Sequence, residues 1–340
     1  MRDNLFFRYL KLAYLGWSRI YYMFCSRLNF NLIASYILKK IKSNLFNILC
    51  ICISITIIIL LIKSNKVLNK KFSQLQQQTL QIQNVLLAPI HENLVEFLKV
   101  YSARDENGPL ELVRHGKEND GGYVAAVKAF KQADVLLGYG IDKDNSFEDY
   151  FSLIYNKPSY GFDCGVEYIE SKSKLFTLVK ECIVSDTFLY NPAHTNHKVT
   201  SFAEQVDNLN LKNKKLFIKM DIEGAEYDAF SGIIKHKDNI TGIALEIHFN
   251  DARSTQNAIT LLKQLEKHFV LIHVHGNNYA TSTGFSTTKS LGTIPNVIEL
   301  SYINKALVKN YNLSEDQSHP LKIDQPNNRN IPDAAFTIIN

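Results

Sequence analysis

Carboxylates, imidazoles and small residues recur in this chain at the ends of short apolar runs. The runs are VLLGYG (135–140), SYGFD (159–163), ECIVSD (181–186), KLFIKMDIEG (215–224), GIALEIHF (242–249), FVLIHVHG (269–276) and NVIELSYI (296–303). Their ends carry Gly138 and Gly140, Asp163, Asp186, Asp221 with Glu223, Glu246 with His248, and His273 and His275 ahead of Asn277 and Asn278. In open α/β sheets, ligands bind outside the carboxyl ends of the strands, so this pattern is stronger than any one motif in it. Gly138-x-Gly140 lets backbone approach a ligand, and Asp163, 23 residues after Gly140, can accept both hydroxyls of a ribose. A dinucleotide site needs a third glycine for the pyrophosphate. Lys143 stands there instead, which argues against NAD or FAD. A nucleoside-type cofactor without pyrophosphate fits, and S-adenosylmethionine is the obvious one. The plain alternative for the two glycines is an ordinary strand–helix turn.

The elements that must position these residues are legible around them. Helix-like stretches lie at 145–156, 170–179, 201–210, 224–236 and 253–267. Strand–helix alternation, with several strands apolar nearly throughout, predicts a doubly wound, mostly parallel α/β sheet covered on both faces. The polar, Asn/Pro-rich stretch 312–333 predicts a surface excursion or loose end, so the body is read as 92–311 and the tail as 312–340. Cys25, Cys50, Cys52, Cys164 and Cys182 include no CxxC, which predicts neither a zinc ribbon nor a disulfide framework.

Charge is uneven along the chain. Residues 1–44 carry eight basic side chains against Asp3, residues 45–62 carry no charge, and residues 63–91 carry four lysines and no acid. Of the 38 basic and 33 acidic residues, 26 and 32 remain for residues 92–340, so the nominal +5 conceals a mildly acidic body. An acidic body argues against nucleic acid as a partner. With 46% hydrophobic residues, 15 Gly and 8 Pro, the composition excludes a disordered or fibrous chain. LFNILCICISITIIILLI (45–62) extends about 27 Å as a helix, close to a hydrocarbon core of about 30 Å, and predicts a single-pass anchor. Residues 5–24 read either as an interfacial aromatic helix against lipid or as an ordinary packed helix. Residues 63–91 read as a helical stalk, self-pairing to a homo-oligomer or packed on the body.

At this point the motifs resemble a known family. KMDIEGAEYDAF (219–230) resembles the signature of FkbM-type S-adenosylmethionine-dependent methyltransferases. RHGKENDGGYV (114–124), GYGIDKDNSFEDYF (138–151), YGFD (160–163), ALEIHF (244–249), HVHGNN (273–278) and IPNVIELSYINK (294–305) agree in order and spacing. The resemblance covers about 110–305. It implies a seven-stranded class I methyltransferase fold and methyl transfer to an oxygen of a sugar or similar acceptor. Within that frame Gly138, Gly140, Asp163 and Asp186 are expected at the cofactor, Asp186 on the adenine amino group unless it merely forms a turn. Asp221 is expected beside the reaction centre. An attacking alcohol must lose its proton, and a near-neutral histidine suits that task. His248 and Glu223 rank first as the base, ahead of Glu246, His273 and His275, with structural roles open for each. Glu246, His273, His275 and Asn277 are expected to shape the acceptor pocket. The HxH pair could instead join Asp221, Glu246 and His248 on a metal, but no fixed-spacing motif supports it and none is expected. The loop Asp120-Gly121-Gly122-Tyr123, with Arg114 before it, could help close the site.

The expected activity is therefore membrane-anchored methylation of a carbohydrate or lipid-linked acceptor. The alternative is a non-catalytic ligand- or partner-binding module on the same fold. Charge before the span exceeds charge after it, which favours an exported body. Supply of the cytosolic methyl donor favours a body facing the cytosol, and that is the orientation expected.

Overall fold

The computed structural model describes residues 66, 69–71, 73–74, 93–187, 197–280, 282–286 and 291–338. The chain divides into two units, Met1–Leu80 and Gln81–Asn340. In the first, the described residues are helical and exposed. The expected basic segment 1–44 and membrane span 45–62 lie outside the described residues, as does most of the stalk 63–91. Among the described residues no helix is long and apolar enough to cross a membrane.

In the second unit, two continuous apolar runs lie side by side at the centre of a seven-stranded sheet. They are β1 (Val135–Tyr139) and β4 (Leu216–Met220), paired in parallel. The other strands are β2 (Ser159–Phe162), β3 (Phe176–Val179), β5 (Ile240–His248), β6 (Phe269–Gly276) and β7 (Val297–Asn304). Their order is β6-β7-β5-β4-β1-β2-β3, and β7 alone runs antiparallel to both neighbours. Alternating residues face opposite sides. Leu137, Ile218 and Leu245 pack with helices α3 (Phe202–Asn208), α4 (Glu226–Ile233) and α5 (Ala252–Leu265). Leu136, Phe217 and Ala244 meet Phe130 of α1 (Val127–Gln132) and Phe147 and Phe151 of α2 (Ser146–Tyr155), with the Phe130 and Phe217 rings stacked 4.2 Å apart. Covering both faces is why these strands are apolar at nearly every position. Two helix starts are set locally: Ser201 with Glu204, and Asp251 with Ser254, form reciprocal caps.

Three expectations need correction. The stretch 170–179, read as a helix, supplies β3, because pairing with β2 overrides the weak helical pattern of its lysines. The run 181–186, read as the third strand of the main sheet, contributes only Cys182–Val184, which pairs with Val199–Ser201 in a separate two-stranded sheet. The tail is not a loose end. Asn310–Leu313 pairs with Tyr101–Asp105, Ser318–His319 pairs with Phe336–Thr337, and Gln317, His319 and Asn327 are buried. Cys164 and Cys182 also form a disulfide, because the sheet brings the end of β2 beside Cys182.

Candidate functional site

β1 pairs with β4 on one side and β2 on the other, so the chain switches direction there and opens a crevice at the strand ends. A cavity of about 310 Å³ fills it, lined among others by Gly140, Phe162, Asp163, Ile183, Asp221 and Glu223. A second cavity of about 250 Å³ shares Gly140, Asp142, Asp221 and Glu223 with the first and extends to Lys117, Asp120, Glu148 and Lys219. The Asp120–Gly121 loop is thus a wall of the second cavity. Arg114 holds it by donating to the Lys117 and Asn119 carbonyls.

The expected cofactor residues divide. Gly140 sits at the cavity with φ +72°, and a Cβ there would collide with the Asp221 carbonyl oxygen. Asp163 lines the cavity and accepts from the backbone N–H of Asp142 at 3.0 Å and of Gly165 at 2.8 Å. Those bonds fix the carboxylate and leave lone pairs for a diol. Phe162 and Ile183 add apolar surface, so the lining fits a nucleoside-type donor. Gly138 lines neither cavity. Its missing side chain makes room for Glu148, whose burial raises its carboxyl to about 7 against the attraction of Lys219. Asp186 also stands outside the lining. It pairs with Lys235 at 2.6 Å and lies against Gly232, because its run belongs to the small separate sheet.

Asp221 follows β4 directly. Its Oδ2 accepts from the Tyr123 hydroxyl at 3.1 Å, and its Oδ1 is buried without a donor. The turn after it puts Glu223 at φ +56° with its side chain 87% exposed. Glu226, fully buried at the start of α4, braces this turn through Oε1, which accepts from the backbone N–H groups of Ile222 and Gly224. The same oxygen lies 3.0 Å from His248 Nδ1. His248 Nε2 lies 3.3 Å from Glu246 Oε1 and 3.4 Å from Glu223 Oε2. Burial opposes charge on this imidazole, but the bonds to Glu226 and Glu246 outweigh it and raise its pKa to about 10. His248 therefore carries a proton at neutral pH, with both nitrogens engaged, and is not the near-neutral base expected of it. Burial lifts Glu246 to about 7 against the pull of His248. Glu226 was missed as a site residue, and Tyr123 was named only as part of the loop that could help close the site. Only the position of Glu226 in the first helical turn after IEGA hinted at it.

The expected acceptor-pocket residues line neither cavity. Asn277 donates to Glu246 at 3.2 Å, so these two hold each other. His275 lies between Glu299 at 3.0 Å and Asp333 of the tail at 3.1 Å. His273 Nε2 is 2.9 Å from Asp324 Oδ1 of the tail, out of line for a hydrogen bond. The cause is strand order: β7 enters between β5 and β6, which moves the HxH pair to the sheet edge and away from Asp221 and His248. A joint metal set with that pair is thereby excluded. Among the described residues, Asp221, Glu223 and His248 instead bring one ligand atom each within 4.8 Å of one another.

No protein-family model matches the chain, and a search of curated proteins finds no match.

Proposed function

We propose that the chain is a membrane-anchored S-adenosylmethionine-dependent methyltransferase of the FkbM type, acting on an oxygen of a carbohydrate or lipid-linked acceptor. The observation that carries this reading is the cavity at the switch point, with Gly140 at the end of β1 and Asp163 at the end of β2. The strand order, with a single reversed strand, supports the class I methyltransferase fold that the resemblance implies. Asp163 would hold the ribose hydroxyls, Gly140 would admit the donor past the backbone, and Phe162 and Ile183 would flank the base. The donor, when bound, supplies an electrophilic methyl group on a sulfonium. The chain's own task is alignment, since holding two reactants in line removes much of the barrier. Asp221 and Glu223 line both cavities: Asp221 would orient the acceptor hydroxyl and the exposed Glu223 would take its proton as the oxygen takes the methyl group and the donor leaves as S-adenosylhomocysteine.

Orientation in the membrane is the open part of the proposal. Donor supply favours a cytosolic body, whereas the Cys164–Cys182 disulfide favours an oxidising compartment. Alkylation of free thiols at the moment of lysis decides between them.

The test of function is calorimetric titration of S-adenosylmethionine and S-adenosylhomocysteine into the full-length chain in detergent, beside Asp163→Ala. Micromolar binding that the variant loses is expected. A folded chain that binds neither compound overturns the reading.

A further inference from the structure

We infer that Asp221, Glu223 and His248 form a divalent-cation site at the junction of the two cavities. Two ligands each about 2.1 Å from one ion lie no more than about 4.2 Å apart, so small side-chain rotations close a set already within 4.8 Å. The three come from the end of β4, the turn after it and the end of β5, so the sheet itself sets their spacing.

Each of the two less exposed ligands is held from behind. His248 presents Nδ1 to the buried Glu226 and leaves Nε2 facing the carboxylates, where an ion would displace the Nε2 proton on binding. That matches the carboxylate–histidine arrangement by which metal-binding imidazoles are oriented. Asp221 is held by the Tyr123 hydroxyl on Oδ2, while its other oxygen, Oδ1, is buried and has no donor. Buried oxygens are nearly always partnered, and an ion is one of the few things that explains an exception. Charge points the same way. Asp221, Glu223, Glu226 and Glu246 surround a single imidazole, and the nearby Lys219 turns its Nζ to the Gly140 carbonyl instead.

The site is also reachable. Glu223 is largely exposed, and it and Asp221 line both cavities, so coordination positions are left open toward them. One imidazole nitrogen with two carboxylates suits Mn²⁺ or Zn²⁺ better than Mg²⁺ or Ca²⁺, which favour all-oxygen sets. An ion there would hold an oxygen of the acceptor between the cavities. That consequence rests on the methyl-transfer reading; the cation binding does not.

The test is titration of Mn²⁺, followed by its electron paramagnetic resonance signal, into chelator-stripped full-length protein, with Zn²⁺ by calorimetry. One bound equivalent is expected. Glu223→Gln, at an exposed position that does not threaten folding, should weaken binding by about tenfold or more. Asp221→Asn and His248→Gln should do the same, and Glu170→Gln, exposed elsewhere, should leave it intact. No binding by the stripped chain, or equal binding in all the variants, overturns the site. S-adenosylhomocysteine titration of the metal-free chain is read separately, so failure of the donor reading is not mistaken for failure of this one.

Discussion

Two regions of the body are built from the same side chains and put them to opposite uses. At the ends of β4 and β5, Asp221 and Glu223 border cavities that open to solvent, with His248 in contact with Glu223 beside them. At the sheet edge, His273, His275, Glu299, Asp324 and Asp333 are also imidazoles among carboxylates, yet the tail covers them. There Asn327 donates to Glu299 at 2.7 Å, and Asn119, in the loop that walls the second cavity, donates to the Pro326 carbonyl. A cluster whose carboxylates reach a cavity can take a ligand. A cluster sealed beneath a segment of its own chain is a fastener.

The contrast can be broken by substitution. On the methyl-transfer reading the largest effect is expected for Asp163→Ala, which would remove the acceptor proposed for two ribose hydroxyls. Donor affinity should fall about a hundredfold, or about 3 kcal/mol, with little change in melting temperature. At the other region the two readouts should exchange. Asp333→Ala leaves His275 short of a buried partner, so stability should fall by about 2 kcal/mol while donor affinity holds. If donor affinity collapsed with it, the edge cluster would belong to the site.

pH sharpens the same contrast. Burial works against charge on His275, but Asp333 and Glu299, with Asp324 nearby, raise it to about 10 from an ordinary 6.5. A raised folded-state value means its contribution is full below pH 6.5 and is lost as pH climbs through 10. His319 behaves oppositely. Burial, with His273 beside it, lowers it to about 4, so it must charge in the unfolded chain first, and stability is lost as pH falls from 6.5 toward 4. Melting temperature against pH should therefore show two limbs, and Asp333→Ala should shrink the alkaline one toward the share left by His248, which is also raised to about 10. An unchanged alkaline limb in that variant would exclude His275 as its source. The smallest effect is expected for Asp186→Ala, whose carboxylate faces Lys235: donor affinity should stay within about twofold.

Legibility followed burial. β1, β4 and β6 were visible because a parallel or central strand covered on both faces has to be apolar along its length, and α5 because its cap and spacing are local. Asp163, Asp221 and Gly140 were visible for the same reason, since they end such strands. β3 was not, because four half-exposed residues owe their conformation to the neighbouring strand. Gly138 looked like a ligand contact, but its space belongs to Glu148, ten residues away on the next helix.

The amino-acid sequence by itself determined the α/β class, the apolar central strands and the polar residues at their ends, because burial and periodicity are written one residue at a time. Only the tertiary structure decided which of those polar residues share a space. The entry of β7 between β5 and β6 sent His273 and His275 to the edge, the tail returned Asp324 and Asp333 to cover them, and Glu226 turned His248 toward Asp221 and Glu223. Those are contacts between segments far apart in the chain, and no local pattern encodes the distance between them.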